Sequence, residues 1–252
     1  MERGTLSMRS GKLLLPLKKV KALISEYRIT HADRVFVSFG ENCLTDDILK
    51  RHNIKSFSTP YSSARSNIEY ILQLEKAEFR DFVNPEYLEY GEADGRRVAR
   101  LKKYTQTNNT YNPAHMKGFE FTHHDVLAEA ATREKMQRRA SRMLHLRCRE
   151  LNIFYHSRRD PATDRAMLTA HLNELKRIYE ERCGAVNVHM FTQIIIDDPK
   201  LRRMEHRMEN GIHIYEFYVL NEWAGSDQEI FWARCDDDLI EMMIQDVRNG
   251  NH

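Results

Sequence analysis

One cysteine in this chain stands where a thiol could act as a nucleophile. Cys43 follows Val35–Gly40, a β-branched and aromatic run that predicts a buried strand ending at Gly40. A helix is expected to follow, because apolar residues recur at helical spacing over Leu44–Leu49. Cys43 is therefore predicted at a helix N-terminus, where unpaired backbone N–H groups favour a thiolate and can hold the oxyanion of an acyl-transfer reaction.

Acidic residues around Cys43 oppose its ionisation. The carboxylates of Glu41, Asp46 and Asp47 are expected to raise the pKa of the thiol. A reactive Cys43 therefore needs a base from elsewhere in the chain. Asn42 is expected to cap the helix. Without a base, Cys43 is interpreted as a buried structural residue, since free cysteine is among the most buried residue types.

The candidate bases are two histidines at the end of another strand. Phe119–Thr122 alternates as a strand does, and His123, His124 and Asp125 follow it. Side chains at the carboxyl ends of strands meet at one edge of an open α/β sheet, so a histidine there could reach Cys43. Asp125 is a candidate to orient His124, although side chains of adjacent residues usually diverge. The alternative interpretation is a polar loop that caps a helix.

Strand and helix patterns alternate along the chain, which predicts an α/β fold with a mainly parallel sheet flanked by helices. The predicted strands are 35–39, 119–122, 153–155, 186–196 and 212–220, and the predicted helices are 17–27, 44–49, 68–74, 126–150, 168–179 and 239–247. Residues 89–118 predict a loop or hairpin excursion, long enough to be a lid or a substrate-binding flap. Residues 1–252 are interpreted as a single domain, with a loosely ordered terminus over 1–12.

Composition argues against several classes of protein. Lys and Arg number 39 against 37 for Asp and Glu, a balance that gives no sign of nucleic-acid binding. No apolar run reaches the roughly 20 residues that cross a bilayer, and the first residues lack a secretion signal. The 4 cysteines form no CxxC pair. They are expected to be reduced thiols of a cytoplasmic protein, not a zinc site or a disulfide framework.

Two charged clusters could bind a ligand. Arg138, Arg139 and Arg142 lie on a predicted helix and could grip phosphate, as in the pyrophosphate of coenzyme A, although such a run is more often a solvated face. Asp236–Asp238 could hold a hard cation, but its place ahead of a helix favours capping. No metal site is predicted, and coenzyme A is kept as an alternative acyl donor.

Five segments that occur in order resemble one known family. They are Val37–Cys43 (VSFGENC), Pro60-Tyr61 with Phe79–Phe82 (FRDF), Phe121–Asp125 (FTHHD), Arg138–Met143 (RRASRM) and Ile153–Tyr155 (IFY). Over residues 35–196 the chain resembles a mainly bacterial family of papain-like cysteine peptidases. The resemblance implies a Cys-His site, with Cys43 as the nucleophile and His124 as the base.

The chain departs from that family at one motif. The family usually has Pro-Phe-Asp-Trp where this sequence has Pro60-Tyr61-Ser62-Ser63. If the missing aspartate orients the histidine or contacts substrate, the departure implies altered specificity or lost activity. Tyr61 and Ser62 are accordingly predicted to lie on the substrate side, together with the three arginines of the basic helix.

These observations leave three functions open. The first is a Cys-His hydrolase acting on a small-molecule, peptide or glycan substrate, with Gly40 and Asn42 helping to hold the oxyanion. The second is an acyltransferase that passes an acyl group from coenzyme A to a sugar hydroxyl in surface-polysaccharide biosynthesis. The third is a binding module without catalytic activity. The sequence does not predict the oligomeric state.

Overall fold

The computed structural model describes residues 31–103, 111–158, 160 and 162–250. The strands of these residues are β1 (Arg34–Gly40), β2 (Leu88–Ala93), β3 (Arg96–Leu101), β4 (Phe119–Phe121), β5 (Glu150–His156), β6 (Ala185–Ile195), β7 (Arg203–Glu209) and β8 (Ile212–Val219). The α-helices are α1 (Leu44–Arg51), α2 (Ile68–Lys76), α3 (Ala130–Leu144), α4 (Arg165–Glu180), α5 (Gln228–Phe231) and α6 (Asp237–Asn249).

A five-stranded sheet in the order β1-β5-β6-β8-β7 forms the centre of the fold. The first four of these strands are parallel, and β7 pairs antiparallel with β8 at one edge. The predicted mainly parallel sheet is thus confirmed. Because the parallel strands end at the same edge, Gly40 lies opposite His156, and His156 lies opposite Phe191.

Helices cover both faces of this sheet. Alternate residues of β1 point to opposite sides, as the period of a strand requires. Val35, Val37 and Phe39 join α2 and α4 in the larger apolar cluster. Phe36 packs against the smaller cluster, which contains buried residues of α1 and α6. Burial on both faces explains why the central strands read as nearly continuous apolar runs.

The free edge of β1 is covered by residues 56–63. Ser56 N donates to Phe36 O at 3.0 Å, and Thr59 Oγ1 donates to Ser38 O at 2.9 Å. A 3₁₀ turn, Pro60–Ser63, follows. This cover supplies hydrogen-bond partners to an edge that would otherwise be open.

The second sheet, β2-β3-β4, is antiparallel and begins as a hairpin within the predicted excursion over 89–118. It joins the main body through a bridge in which Arg65 and Glu120 exchange both backbone hydrogen bonds at 2.9 Å. A role as lid or flap stays a prediction.

One predicted helix is shorter in the structure than its sequence pattern indicates. The helix expected over 126–150 is α3, which begins at Ala130 and ends at Leu144. The Asp125 carboxylate accepts from Ala128 N at 2.9 Å, and this turn occupies the residues before the helix. The helix predicted over 17–27 and the terminus 1–12 lie outside the described residues. Within the described part of the chain, every helix is too short or too polar to cross a membrane.

Gly40 is expected to tolerate no side chain. Its φ is +136°, and a Cβ there would lie 2.9 Å from His156 N and 3.0 Å from His156 O. Gly40→Ala should lower the free energy of unfolding by roughly 2–4 kcal/mol, because backbone strain and a backbone clash add. Urea unfolding measures this loss.

Gly95→Ala is the matched control. Gly95 also has a positive φ, +71°, but a Cβ there would meet no atom within 4 Å. The substitution should cost only about 1 kcal/mol, the strain of a left-handed residue. Equal losses in the two variants would contradict the close contact at Gly40.

Candidate functional site

Cys43 occupies the N-cap position of α1, at the carboxyl edge of the main sheet. Its φ and ψ are −79° and 0°, and its side chain is partly exposed. The carbonyl of Cys43 accepts the first helical hydrogen bond from Asp47 N at 3.2 Å. The thiol therefore lies beside the backbone N–H groups that begin the helix.

The surroundings of Cys43 favour the thiol over the thiolate. The pKa of Cys43 is raised to about 11, chiefly by burial and also by Asp46 and Asp47, while a hydrogen bond from its own backbone and the charge of Arg65 oppose the rise. Asp46 is fixed in place by Ser38 Oγ at 2.8 Å and by a salt bridge to Lys55. Activation of Cys43 at neutral pH thus requires a general base.

The side chain of Asn42 has one orientation set by its partners. Leu44 N can only donate, so the atom facing it at 3.1 Å is Asn42 Oδ1. His156 Nδ1 lies 3.3 Å from the same oxygen. Asn42 Nδ2 is therefore not the atom that faces either of these groups.

His156 is neutral and deeply buried. Its ring stacks on Phe191 with centroids 5.0 Å apart, and burial, followed by the charge of Arg158, lowers its pKa to about 3. Since Nδ1 faces Asn42 Oδ1, the proton of the neutral ring belongs on Nδ1. Nε2 has no hydrogen-bond partner in the described structure. His156 is therefore suited to position Asn42.

A buried carboxyl group lies next to this turn. Glu41 Oε2 accepts from Arg158 N at 3.0 Å, and burial raises the pKa of Glu41 to about 8. The carboxyl is therefore largely protonated at neutral pH. Of the three acidic neighbours predicted to raise the pKa of Cys43, Asp46 and Asp47 do so, whereas Glu41 faces the interior.

His115 belongs to the same buried region. It is 2% exposed, and neither ring nitrogen makes a hydrogen bond in the described structure. Burial lowers its pKa well below the ordinary value, and the cations Arg65 and Arg158 add to this effect. A contact with the Glu41 backbone raises the pKa of His115 and so offsets part of this lowering. His115 is therefore a buried, neutral imidazole.

The sequence pattern did not identify His115 or His156. His156 closes a strand that pairs with β1, so the rule that sites form at the carboxyl ends of strands could have found it once the strand order was known. His115 lies in the short turn Pro113–His115 between strands and has no such local signal.

His124 lies in the turn after β4 and is half-buried. Its pKa is lowered to about 4, chiefly by burial and also by the charges of Lys135 and Arg139. No hydrogen bond joins it to Cys43 in the described residues. His124 follows β4 of the second sheet, whereas Cys43 follows β1 of the main sheet, so the two do not share the carboxyl edge on which their pairing was predicted.

Asp125 contacts groups other than His124. Its carboxylate accepts from Tyr90 OH at 3.2 Å and from Ala128 N at 2.9 Å. These contacts stabilise the turn before α3. The role of Asp125 as the acid that orients His124 stays a prediction, without a hydrogen bond to support it.

Tyr61 and Ser62 are both buried. Tyr61 OH donates to Glu75 at 2.9 Å, and Ser62 Oγ lies 3.0 Å from Ser38 Oγ. Their exposed fractions are 1% and 2%. Their assignment to substrate binding stays a prediction, since the contacts that the structure shows are internal.

The three arginines of α3 point in different directions. Arg138 is exposed and lies 4.0 Å from Glu134. Arg139 is buried and donates to Thr59 O at 3.4 Å, while Arg142 donates to Ser58 O at 3.4 Å. Two of the three thus support the segment that covers β1, and their substrate role also stays a prediction.

The described residues offer no group of ligands for a metal ion. No cluster of three or more His, Cys, Asp or Glu side chains suited to a metal ion occurs there. Asp236 accepts from Trp223 Nε1 at 2.9 Å and from Arg202 at 3.0 Å, just ahead of α6.

Comparison with known proteins identifies one family. A family model described as a putative papain-like cysteine peptidase (DUF1796) matches residues 34–193. This region extends from the first residue of β1 into β6 and contains both Cys43 and His124. No curated protein and no solved structure matches the chain.

Ionisation of Glu41 is expected to make folding depend on pH. Its pKa is about 8 in the fold against 4.5 as the ordinary value, so the native state holds the proton longer than the unfolded chain does. Stability should therefore fall as pH rises from 4.5 to 8, by up to about 1.4 kcal/mol per pH unit from this group. Glu41→Gln keeps an acceptor for Arg158 N and removes the titration.

Urea unfolding of both proteins across this pH range gives the comparison. The Glu41→Gln variant should lose less stability with rising pH than the natural protein does. Glu75, whose pKa is raised to about 7 by burial, remains in both proteins and cancels in the difference. Parallel stability curves would show that Glu41 is ionised in the fold.

Proposed function

We propose that this protein, which belongs to the putative papain-like cysteine peptidase family, is a hydrolase that transfers an acyl group from its substrate to Cys43 and then to water. The observation that carries the proposal is the turn Asn42-Cys43 at the N-terminus of α1. There the thiol adjoins helical N–H groups, and Asn42 Oδ1 is held by Leu44 N and His156 Nδ1.

His124 is proposed as the general base. Its lowered pKa, about 4, keeps the imidazole neutral at physiological pH, with a nitrogen lone pair that can accept a proton, although it also makes His124 a weaker base than an ordinary histidine. Catalytic hydrogen bonds are often long before substrate binds. No hydrogen bond joins His124 to Cys43 in the part of the chain that the structure describes, so the proposed reaction requires the two side chains to approach each other when substrate binds.

The proposed reaction has two steps. In the first, His124 accepts the thiol proton while Cys43 Sγ bonds to the carbonyl carbon, and the carbonyl electron pair moves onto oxygen. Asn42 Nδ2 and Cys43 N–H stabilise this oxyanion until the leaving group departs with the proton from His124. In the second, a water attacks the thioester, His124 accepts its proton, and the acid and the Cys43 thiol are released.

The charges at the site support a neutral pair in the resting enzyme. The pKa of Cys43 is about 11 and that of His124 about 4, so a thiolate–imidazolium pair is unfavourable before substrate binds. Proton transfer then accompanies attack. The site thus resembles a serine hydrolase in its protonation, although its nucleophile is sulfur.

The contacts favour the hydrolase over the acyltransferase. A coenzyme A donor needs cations free to meet its phosphates, and on α3 both Arg139 and Arg142 donate instead to backbone carbonyls. Transfer to a sugar hydroxyl in polysaccharide biosynthesis is therefore the second candidate. Free cysteines throughout the described chain fit the reducing environment of the cytoplasm, where we propose the protein acts.

Acylation of Cys43 tests the nucleophile and the base together. p-Nitrophenyl acetate should acylate Cys43 with release of nitrophenolate, and Cys43→Ala should abolish this burst. His124→Ala should slow it about 10²–10⁴-fold, the usual contribution of a general base. The control variant is His123→Ala, because His123 is exposed and adjacent to His124. Its burst rate should equal that of the natural protein.

The pH dependence of the same burst is the second measurement. The rate should show no inflection between the pKa of His124, about 4, and that of Cys43, about 11. An inflection near neutral pH that His124→Ala removes would indicate a preformed ion pair. A burst that survives Cys43→Ala would refute the proposed function and favour a binding module.

Asn42 should stabilise the oxyanion and not the thiolate. Asn42→Ala is expected to slow acylation by p-nitrophenyl acetate about 10²–10³-fold, the loss seen for one oxyanion donor. Exchange of Cys43 with an aromatic disulfide forms no oxyanion and should change little. An equal fall in both rates would mean that Asn42 acts only by capping α1.

A further inference from the structure

Two other thiols lie in contact at the opposite end of the sheet from Cys43. Cys148 precedes β5 and Cys183 precedes β6, and their Sγ atoms are 3.2 Å apart. Each residue is 6% exposed. The sequence alone did not pair them, because they are 35 positions apart in the chain.

The backbone brings these cysteines together as neighbours on adjacent parallel chains. Glu150 pairs with Ala185 at the start of the two strands, and the ladder continues outward as Gly184 N donates to Cys148 O at 3.0 Å. Gly184 permits this approach, because a Cβ there would lie 2.7 Å from Arg149 O. Adjacent strands are about 4.8 Å apart, and disulfides span Cα separations of about 4.4–6.8 Å.

The charges around the pair favour a thiolate on Cys183. The Cys148 thiol donates to Cys183 Sγ, and this hydrogen bond is the main cause that holds the pKa of Cys183 below its ordinary value. Arg182 and Arg147 also lower this pKa, while burial opposes them. The same hydrogen bond, together with burial and Glu150, raises the pKa of Cys148. One sulfur is thus a nucleophile, and the other lies in contact to resolve its oxidised form.

We propose that Cys148 and Cys183 form a redox-active dithiol that a peroxide converts into an intramolecular disulfide. The Cys183 thiolate attacks one peroxide oxygen, which breaks the O–O bond and gives a sulfenic acid and hydroxide. Cys148 Sγ then attacks the sulfenic sulfur, forms the S–S bond, and loses its proton to the hydroxide that leaves as water. In sum, two thiols and one hydrogen peroxide give one disulfide and two waters.

The proposal is independent of the function proposed for Cys43. The pair lies at the amino ends of β5 and β6, whereas Cys43 lies at the carboxyl edge of the sheet. The remaining thiols are less suited to react, because burial raises the pKa of both Cys43 and Cys235 to about 11. Cys235 is exposed but its pKa is not lowered, so its reaction serves as an internal control for the effect of accessibility alone.

Peptide mapping of the whole protein after brief treatment with equimolar hydrogen peroxide tests the proposal. The expected product is a peptide cross-linked through Cys148 and Cys183, whose mass is two hydrogen atoms below the summed mass of the two free peptides. Dithiothreitol should reduce the cross-link and restore the two free peptides. Cys43 and Cys235 should remain alkylatable. The Cys43→Ala variant should give the same cross-link, which separates this result from the acylation chemistry.

Two variants resolve the order of the steps. In Cys148→Ser, Cys183 should stop at the sulfenic acid and be captured by dimedone, and in Cys183→Ser, Cys148 should stay reduced. The proposal is overturned if wild-type Cys148 and Cys183 remain thiols while Cys235 is oxidised. It is also overturned if Cys183 proceeds to sulfinic acid without forming the cross-link.

Discussion

The close approach of Gly40 to β5 is the constraint on which the candidate site depends. A parallel strand that ends in contact with its neighbour must turn without a side chain, and Glu41 N then donates to His156 O at 3.2 Å. That turn begins α1 two residues after Asn42 and brings Cys43, the N-cap, to the carboxyl edge of the sheet. The same contact sets the Asn42 amide against His156, so backbone packing and side-chain orientation have one origin.

Burial dominates the electrostatics of this region. It raises the pKa values of Cys43 and Glu41 and lowers those of His124 and His156, so each group prefers its neutral form. A site made of neutral groups loses little hydration when a substrate enters. Its hydrogen-bond donors stay fixed while charge develops in the transition state. The charge of Arg65 lowers the pKa of both Cys43 and His115, and its guanidinium also pairs with Asp94 and Glu120.

Local pattern was enough to predict the strand at Val35, the turn at Gly40 and the helix after Cys43, because each follows from residues close in sequence. The burial of Glu41 and the pairing of Asn42 with His156 depend on strand order, which no local pattern contains. Strand β7 was missed for a different reason. Its alternate residues, from Arg203 to Glu209, are charged on the exposed side of an edge strand, a pattern that protects the edge but lacks the apolar signal of the central strands.

The hydrogen bonds of Ser62 show which part of the structure is affected by the departure from the family motif. Ser62 Oγ lies 3.0 Å from Ser38 Oγ, which itself donates to Asp46 at 2.8 Å. A carboxylate at position 62 would compete with Asp46 for the single Ser38 proton, in a place that is 2% exposed. Since Asp46 raises the pKa of Cys43, the residue at 62 acts on the support of α1 and on the charge beside the thiol. The contacts of Ser62 in this chain are therefore with Ser38 and Thr59, in the support of α1 and the cover of β1.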